Sequence, residues 1–294
     1  MAVYSIKDLE KLSGIKAHTI RIWEKRYDLI EPHRTNTNIR YYTDNDLKKI
    51  LNVALLNRHG IKISSIAKLN DLELKEEIIR VSSSSDSSDT LIDSMVLAMI
   101  DLDEYKLESI MDKSIHKLGV RSTVTDVFYP FLEKLGILWM AGDVYPAQEH
   151  LVSFLIRQKI IAATENLSRP FNPKARKFLL FMPEGEWHEI VLLFAQFLIR
   201  EANHEVLYLG QSVPYSDVLA IGLAKRFDFI LLTSSASESG FDLNSYLADL
   251  GGAFPDKKIL YCSSYKVDLT VNSSDNLIHL EQVDDLTTFI QGLS

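Results

Sequence analysis

The sequence predicts a multi-domain protein: a small basic helical head, an antiparallel bundle of about four helices, and an α/β domain built on a five-stranded parallel sheet. Three observations carry this reading. Charge is divided unevenly, a serine run interrupts the chain, and the hydrophobic period changes near residue 176. At 294 residues the chain exceeds one typical domain. The expected boundaries are 1–75 for the head, 76–89 for a Ser-rich linker, 90–170 for the bundle and 171–294 for the α/β domain.

The head is set apart by charge. Residues 1–70 hold 13 Lys/Arg against 7 Asp/Glu, and the remainder 19 against 33. A basic head on an acidic body points to a polyanion met by the head alone. Within it, YSIKDLEKLSGIKAHTIRIWEKRYDLIEP gives two short helices flanking SGIKA, a helix–turn–helix arrangement. The second helix is expected from about Ala17 to Tyr27, with His18, Arg21 and Lys25 on one side and Ile20, Trp23 and Leu29 for packing. A helix fits the major groove of DNA, where long cationic side chains reach base edges or phosphates. HRTNTNIRYYTDNDL then places Arg34, Arg40, Tyr41 and Tyr42 around a turn-forming TNTN, as in a β-wing gripping phosphates.

VSSSSDSSD, residues 81–89, has little apolar surface to bury and is expected to act as a tether. Residues 90–169 carry helical apolar spacing, with Pro130 and Pro146 each expected in the first turn of a helix. From 176 onward, RKFLLFM, HEVLYLG, FDFILLTSS, KKILYCSS and NLIHLE read as buried strands alternating with helices, hence a parallel sheet covered on both faces. Ligands of such sheets sit beyond the carboxyl ends of the strands, where PEGEWHE follows the first strand.

That loop holds His188 and Glu186. Imidazole is a common metal ligand, and a carboxylate commonly holds its second nitrogen. The two alternate along an extended loop and need not touch; Glu184 and Glu189 are further possible partners. No zinc-like cluster accompanies His188, because Cys262 is alone and His204 is distant in sequence. On residue chemistry a solvated helix-start histidine and a metal ligand both stand.

TIRIWEKRY, the L-I-x-P step, R-T and R-Y-Y-T-D-N-D-L resemble the winged helix–turn–helix of the MerR family of transcription factors over roughly residues 3–70. Asp28 stands where that family usually has glycine, and aspartate tolerates left-handed backbone. The resemblance implies a dimer reading a two-fold operator in double-stranded DNA. E-G-E-W-H-E looks like the cobalamin-binding loop of a flavodoxin-like sheet, D/E-x-H-x-x-G, in which the histidine stands beneath cobalt; LGQSVP, residues 209–214, is similar to the segment after the second strand of such domains. Trp139 with Glu149 and His150, in W-x9-E-H spacing, resembles the cap of the CarH/LitR group of MerR-type photoreceptor repressors. This implies adenosylcobalamin as cofactor, His188 as cobalt ligand, and a light-controlled homo-oligomer, dimer or tetramer. Thr233 and Ser235, with Ser237, are candidates for contacting a base or phosphate.

Three departures oppose the cofactor. Val191 replaces the loop glycine, and Cys262 and Ser263 replace a small pair after the fourth strand, so side chains enter the slot of the nucleotide tail. Met140 stands where some relatives have a second cobalt-binding histidine, and a thioether is no substitute for a nitrogen donor. The sequence thus predicts a DNA-binding regulator, a repressor, with cofactor control weakened, lost or transferred. The alternatives are a corrinoid-dependent enzyme fragment, for which the head has no use, and a ligand-independent repressor controlled by a protein antirepressor. No membrane contact is expected: no run approaches the ~20 apolar residues of a span, the N-terminus lacks a signal-peptide core, and one cysteine suits the cytoplasm.

Overall fold

The computed structural model describes residues 4–34, 38–70, 72–74, 76–78, 88–140, 145–168, 170–234, 242–263 and 276–293. They form two compact units, 1–156 and 157–294, and the second begins inside a helix.

In the first unit, α1 (Ile6–Ser13) starts at a capping box between Ser5 and Asp8 and stops at Gly14, φ 72°. Helix α2 (Ala17–Tyr27) has no side-chain cap of its own at Lys16. Glu10 reaches across from α1 instead: its Oε2 accepts the Ala17 amide at 3.1 Å and its Oε1 lies 3.1 Å from Lys16 Nζ. The amide bond, then the Lys16 ammonium, hold the Glu10 carboxyl below its ordinary range. Asp28 closes α2 at φ 51°, ψ 38°, the left-handed turn expected of it. Ile20, Trp23 and Leu29 are buried, each contributing about 1.5–3 kcal/mol, more than a cap supplies. Strands β1 (His33–Arg34) and β2 (Arg40–Tyr41) pair antiparallel as the wing, followed by α3 (Asp44–Arg58), with its own Thr43–Asp46 capping box, and α4 (Ile63–Ile66).

The bundle is α5 (Ser88–Ile100), α6 (Glu104–Thr123), α7 (Tyr129–Met140) and α8 (Pro146–Glu165), the four expected helices. Pro146 opens α8 as predicted. Pro130 lies in the first turn of α7 as predicted, but no loop precedes that helix. Helix α6 kinks at Gly119 (φ 77°) and runs through a π-turn at Val124–Phe128 straight into α7. A proline has no amide to offer the carbonyl four residues back and clashes with it, and the wide π-turn absorbs both defects. Most of the tether, residues 79–87, lies outside the described residues.

The second unit contains β3 (Lys177–Pro183), α9 (Ile190–Glu201), β4 (Glu205–Val213), α10 (Tyr215–Ala224), β5 (Phe229–Ser234), α11 (Leu243–Ala253), β6 (Lys258–Ser263), β7 (Leu277–His279) and α12 (Val283–Gln291). All five strands run parallel in the order β4-β3-β5-β6-β7, the flavodoxin-like 2-1-3-4-5 winding. One face of the sheet, from Leu179, Phe181, Ile230 and Leu232, packs on Val218 of α10 and on Leu247 and Leu250 of α11. The other face meets α9 and α12, with Phe229 edge-on to Phe289. The order reverses between β3 and β5, and sheets of this winding bind their ligands beyond the carboxyl ends of the strands at such a reversal.

Candidate functional site

The loop leaving β3 is built to present His188. Gly185 turns at φ 86°, and Glu186 folds inward until it is 3% exposed. Its Oε1 accepts three bonds: from the amides of Trp187 at 2.9 Å and His188 at 3.0 Å, and from His188 Nδ1 at 2.8 Å. The sequence left Glu186 and His188 free of each other; the turn brings them into contact. Nδ1 therefore carries the proton in the neutral ring, and Nε2 is left with a lone pair on a side chain 72% exposed. Strand β4 clamps the loop. It bulges at Gly210 (φ 85°) and Ser212 (φ 49°). The Gly185 amide donates to Ser212 Oγ at 3.1 Å, the Ser212 amide to the Glu186 carbonyl at 3.1 Å, and Gln211 Nε2 to the Trp187 carbonyl at 2.7 Å. Gln211 and Ser212 lie in the LGQSVP segment, but their clamping role carries no sequence signal.

Glu189 is not a partner of His188. It is buried, ion-paired with Arg157 on α8, and accepts from the Tyr208 hydroxyl at 3.2 Å. Burial first, and the Glu189 charge second, push the Tyr208 hydroxyl well above its ordinary range, so it stays a donor. His204 is structural: its Nδ1 accepts the Arg176 amide at 3.2 Å. Among the described residues no three His, Cys, Asp or Glu gather to hold an ion.

At the neighbouring strand end, Thr233 is buried and its Oγ1 has no hydrogen-bond partner among the described residues. Such an orphan is costly unless something outside the described residues completes it. Ser235 lies outside the described residues, as does the side chain of Ser263. Cys262 is the penultimate residue of β6, in register with Thr233; burial, then Asp285, raise its thiol and keep it protonated. Val191 stands half-buried in the first turn of α9.

In the bundle, Glu149 and His150 occupy the first turns of α8, with His150 Nε2 3.6 Å from Glu149 Oε2 and Ser153 donating to Glu149 at 2.7 Å. Trp139 is the penultimate residue of α7, and its side chain and that of Met140 lie outside the described residues.

On the head, His18, Arg21 and Lys25 are exposed along one side of α2, and Arg34 and Arg40 are exposed on the wing. Tyr41 stacks on His33, ring centroids 5.3 Å apart, and Arg34 donates to Asn38 at 2.6 Å. Tyr42 differs from its neighbours. It is fully buried, bridges to Tyr4 and donates its hydroxyl to Glu24. It ties wing to recognition helix and offers no surface to a ligand, because alternation along a strand turns successive residues to opposite faces.

A family model described as MerR HTH family regulatory protein matches residues 4–72, and one described as B12 binding domain matches residues 91–163. The HTH-type transcriptional repressor CarH of Myxococcus xanthus is 32% identical over 258 residues, covering 86% of this chain and 85% of that protein. The HTH-type transcriptional repressor CarA of the same organism is 25% identical over 248 residues, covering 83% and 81%. Among solved structures, the monomethylamine corrinoid protein of Methanosarcina barkeri aligns with a TM-score of 0.52 at 13% identity, over 71% of this chain and all of that one, a likeness of fold alone. These two relatives are named as transcriptional repressors. Among the described residues no helix is long and apolar enough to cross a membrane. With a winged head, a four-helix bundle and a 2-1-3-4-5 sheet joined in one polypeptide, the chain belongs to the CarH-type, MerR-class transcriptional regulators.

Proposed function

We propose that this regulator is a repressor that binds operator DNA through its head and takes a corrinoid at His188, with a reduced hold on the cofactor's nucleotide tail. The single observation carrying the sensor half is the His188 ring itself: Nδ1 is held by a buried carboxylate and Nε2 is exposed at a sheet switch point. A metal-binding histidine is ordinarily oriented in this way. The orphaned Thr233 hydroxyl supports a polar ligand group at the next strand end. Against a full grip stand Val191, Cys262 and Ser263. When bound, an alkylcorrinoid supplies a light-labile cobalt–carbon bond; Trp139, Glu149 and His150 are the residues assigned to its upper face.

For the DNA half, His18, Arg21 and Lys25 enter the major groove while Arg34, Arg40 and Tyr41 hold flanking phosphates. Two or four heads, brought together by oligomerisation of the body, engage repeated half-sites. The domain limits that go with this reading are 1–75, 90–170 and 171–294, joined by 76–89.

The test is to mix protein with adenosylcobalamin in darkness, desalt it, and record the visible spectrum. Wild type is expected to retain cofactor, and His188→Ala to retain none. Retention unaffected by His188→Ala would overturn the ligand assignment. Loss of all corrinoid from wild type, with operator binding intact, would move control to a protein antirepressor.

A further inference from the structure

Asp93 lies on α5, within the apolar run LIDSMVLAMI, yet it is a carboxylate 1% exposed. Its two oxygens are divided between two domains. Oδ2 pairs with Arg58 at the end of α3 in the head, and Oδ1 pairs with Lys134 of α7 in the bundle at 2.8 Å. A second contact sits one turn away. His59 Nδ1 bonds to the Leu55 carbonyl at 2.9 Å, which leaves Nε2 to accept the Thr90 hydroxyl at 3.3 Å. A third lies at the other end of the same helix pair, where Lys48 of α3 meets Asp101, just past α5.

The spacing makes these three a set. Lys48 and Arg58 are ten residues apart on α3, about 15 Å, and Asp93 and Asp101 eight apart, about 12 Å. Helices α3 and α5 thus lie antiparallel and are pinned at both ends. Helix α1 packs on α7 as well, and head and bundle form one compact unit, where the serine run alone suggested a tethered head.

We propose that Asp93 is a positioning residue for operator recognition: through Arg58 it latches the head onto the bundle, so that the bundle sets the orientation of each recognition helix. The proposal rests on the DNA-binding reading above. A latched head reads half-sites at one spacing and one rotation; a head held only by residues 79–87 tolerates many.

Arg58→Met isolates the latch, because it leaves the Asp93–Lys134 pair inside the bundle. Two readouts decide. The first needs no DNA: a distance distribution between spin labels at Lys7→Cys and Tyr105→Cys, in a Cys262→Ser background. It should be narrow in the otherwise unaltered chain, broad with Arg58→Met, and narrow again with Arg58→Lys. The second is operator affinity when five base pairs are inserted between half-sites, about half a helical turn. Wild type should lose about tenfold or more, and Arg58→Met less than about threefold. Should Arg58→Met lower the melting temperature of the head, Lys48→Glu opposes Asp101 at the far end and takes its place. A broad distribution without the mutation, or a narrow one with it, overturns the latch. Absence of operator binding by every variant, with the distances as expected, overturns the DNA-binding reading and leaves the latch standing.

Discussion

His188 and Val191 are three residues apart and pull the site in opposite directions. The histidine is prepared for a ligand by Glu186, which holds one ring nitrogen and two amides with a single buried oxygen. Valine in the first turn of α9 adds a branched side chain where the resemblance implies glycine. The two effects separate in a comparison of cobalamin with cobinamide, which lacks the nucleotide tail. Wild type should bind both with similar affinity. Val191→Gly should cost only about 0.5 kcal/mol of stability through helix propensity, since valine is itself a poor helix former. It should tighten cobalamin alone by about tenfold or more, as relief of ~1–3 kcal/mol of overpacking implies. Equal tightening of both ligands, measured by absorbance titration, would show that Val191 does not face the tail.

At the scale of elements, packing decides against local preference at Gly222. Alanine is the better helix former by about 1 kcal/mol, and α10 is otherwise an ordinary helix. A Cβ at Gly222 would lie 2.3 Å from the ring of Phe254, which is itself packed edge-on against Phe227. The ring is buried and would have to shift against Phe227, so Gly222→Ala should destabilise the second unit by roughly 1–3 kcal/mol net. Urea unfolding followed by far-ultraviolet dichroism checks this, and a stabilised variant would refute it. Much of this architecture was legible beforehand. The strands announced themselves as apolar runs, α2 has the limits expected, and the left-handed turn at Asp28 followed from steric tolerance. What was illegible depends on contacts between elements. Glu10 caps a helix other than its own, Glu186 meets His188 only because Gly185 and the β4 bulge fold the loop, and Asp93 looks in sequence like one solvated position on an amphipathic helix. Pro130 marks the first turn of α7, but the π-turn that leads into it has no sequence signal.

Across the whole molecule, the cations that face outward on the head belong to a chain whose formal net charge is −8. An acidic body is repelled by DNA, so attraction is confined to the surface carrying Arg21, Lys25, Arg34 and Arg40, and orientation is set before contact. Burial of Tyr42 sharpens this: the wing meets phosphate through its exposed arginines while its tyrosine secures it to α2. Each phosphate neutralised releases counterions, and the logarithm of affinity falls with the logarithm of salt by about 0.9 per contact. If two heads bind together, Arg34→Ala with Arg40→Ala removes four contacts, and the slope should become shallower by about 3.6. A single bound head would change it by about 1.8. Preference among operator sequences should survive, because phosphates position the protein and base edges specify the site. Gel shifts over a salt series, with matched and scrambled half-sites, read slope and preference together. An unchanged slope would remove the wing from the interface, while a lost preference would make Arg34 or Arg40 a reader of bases.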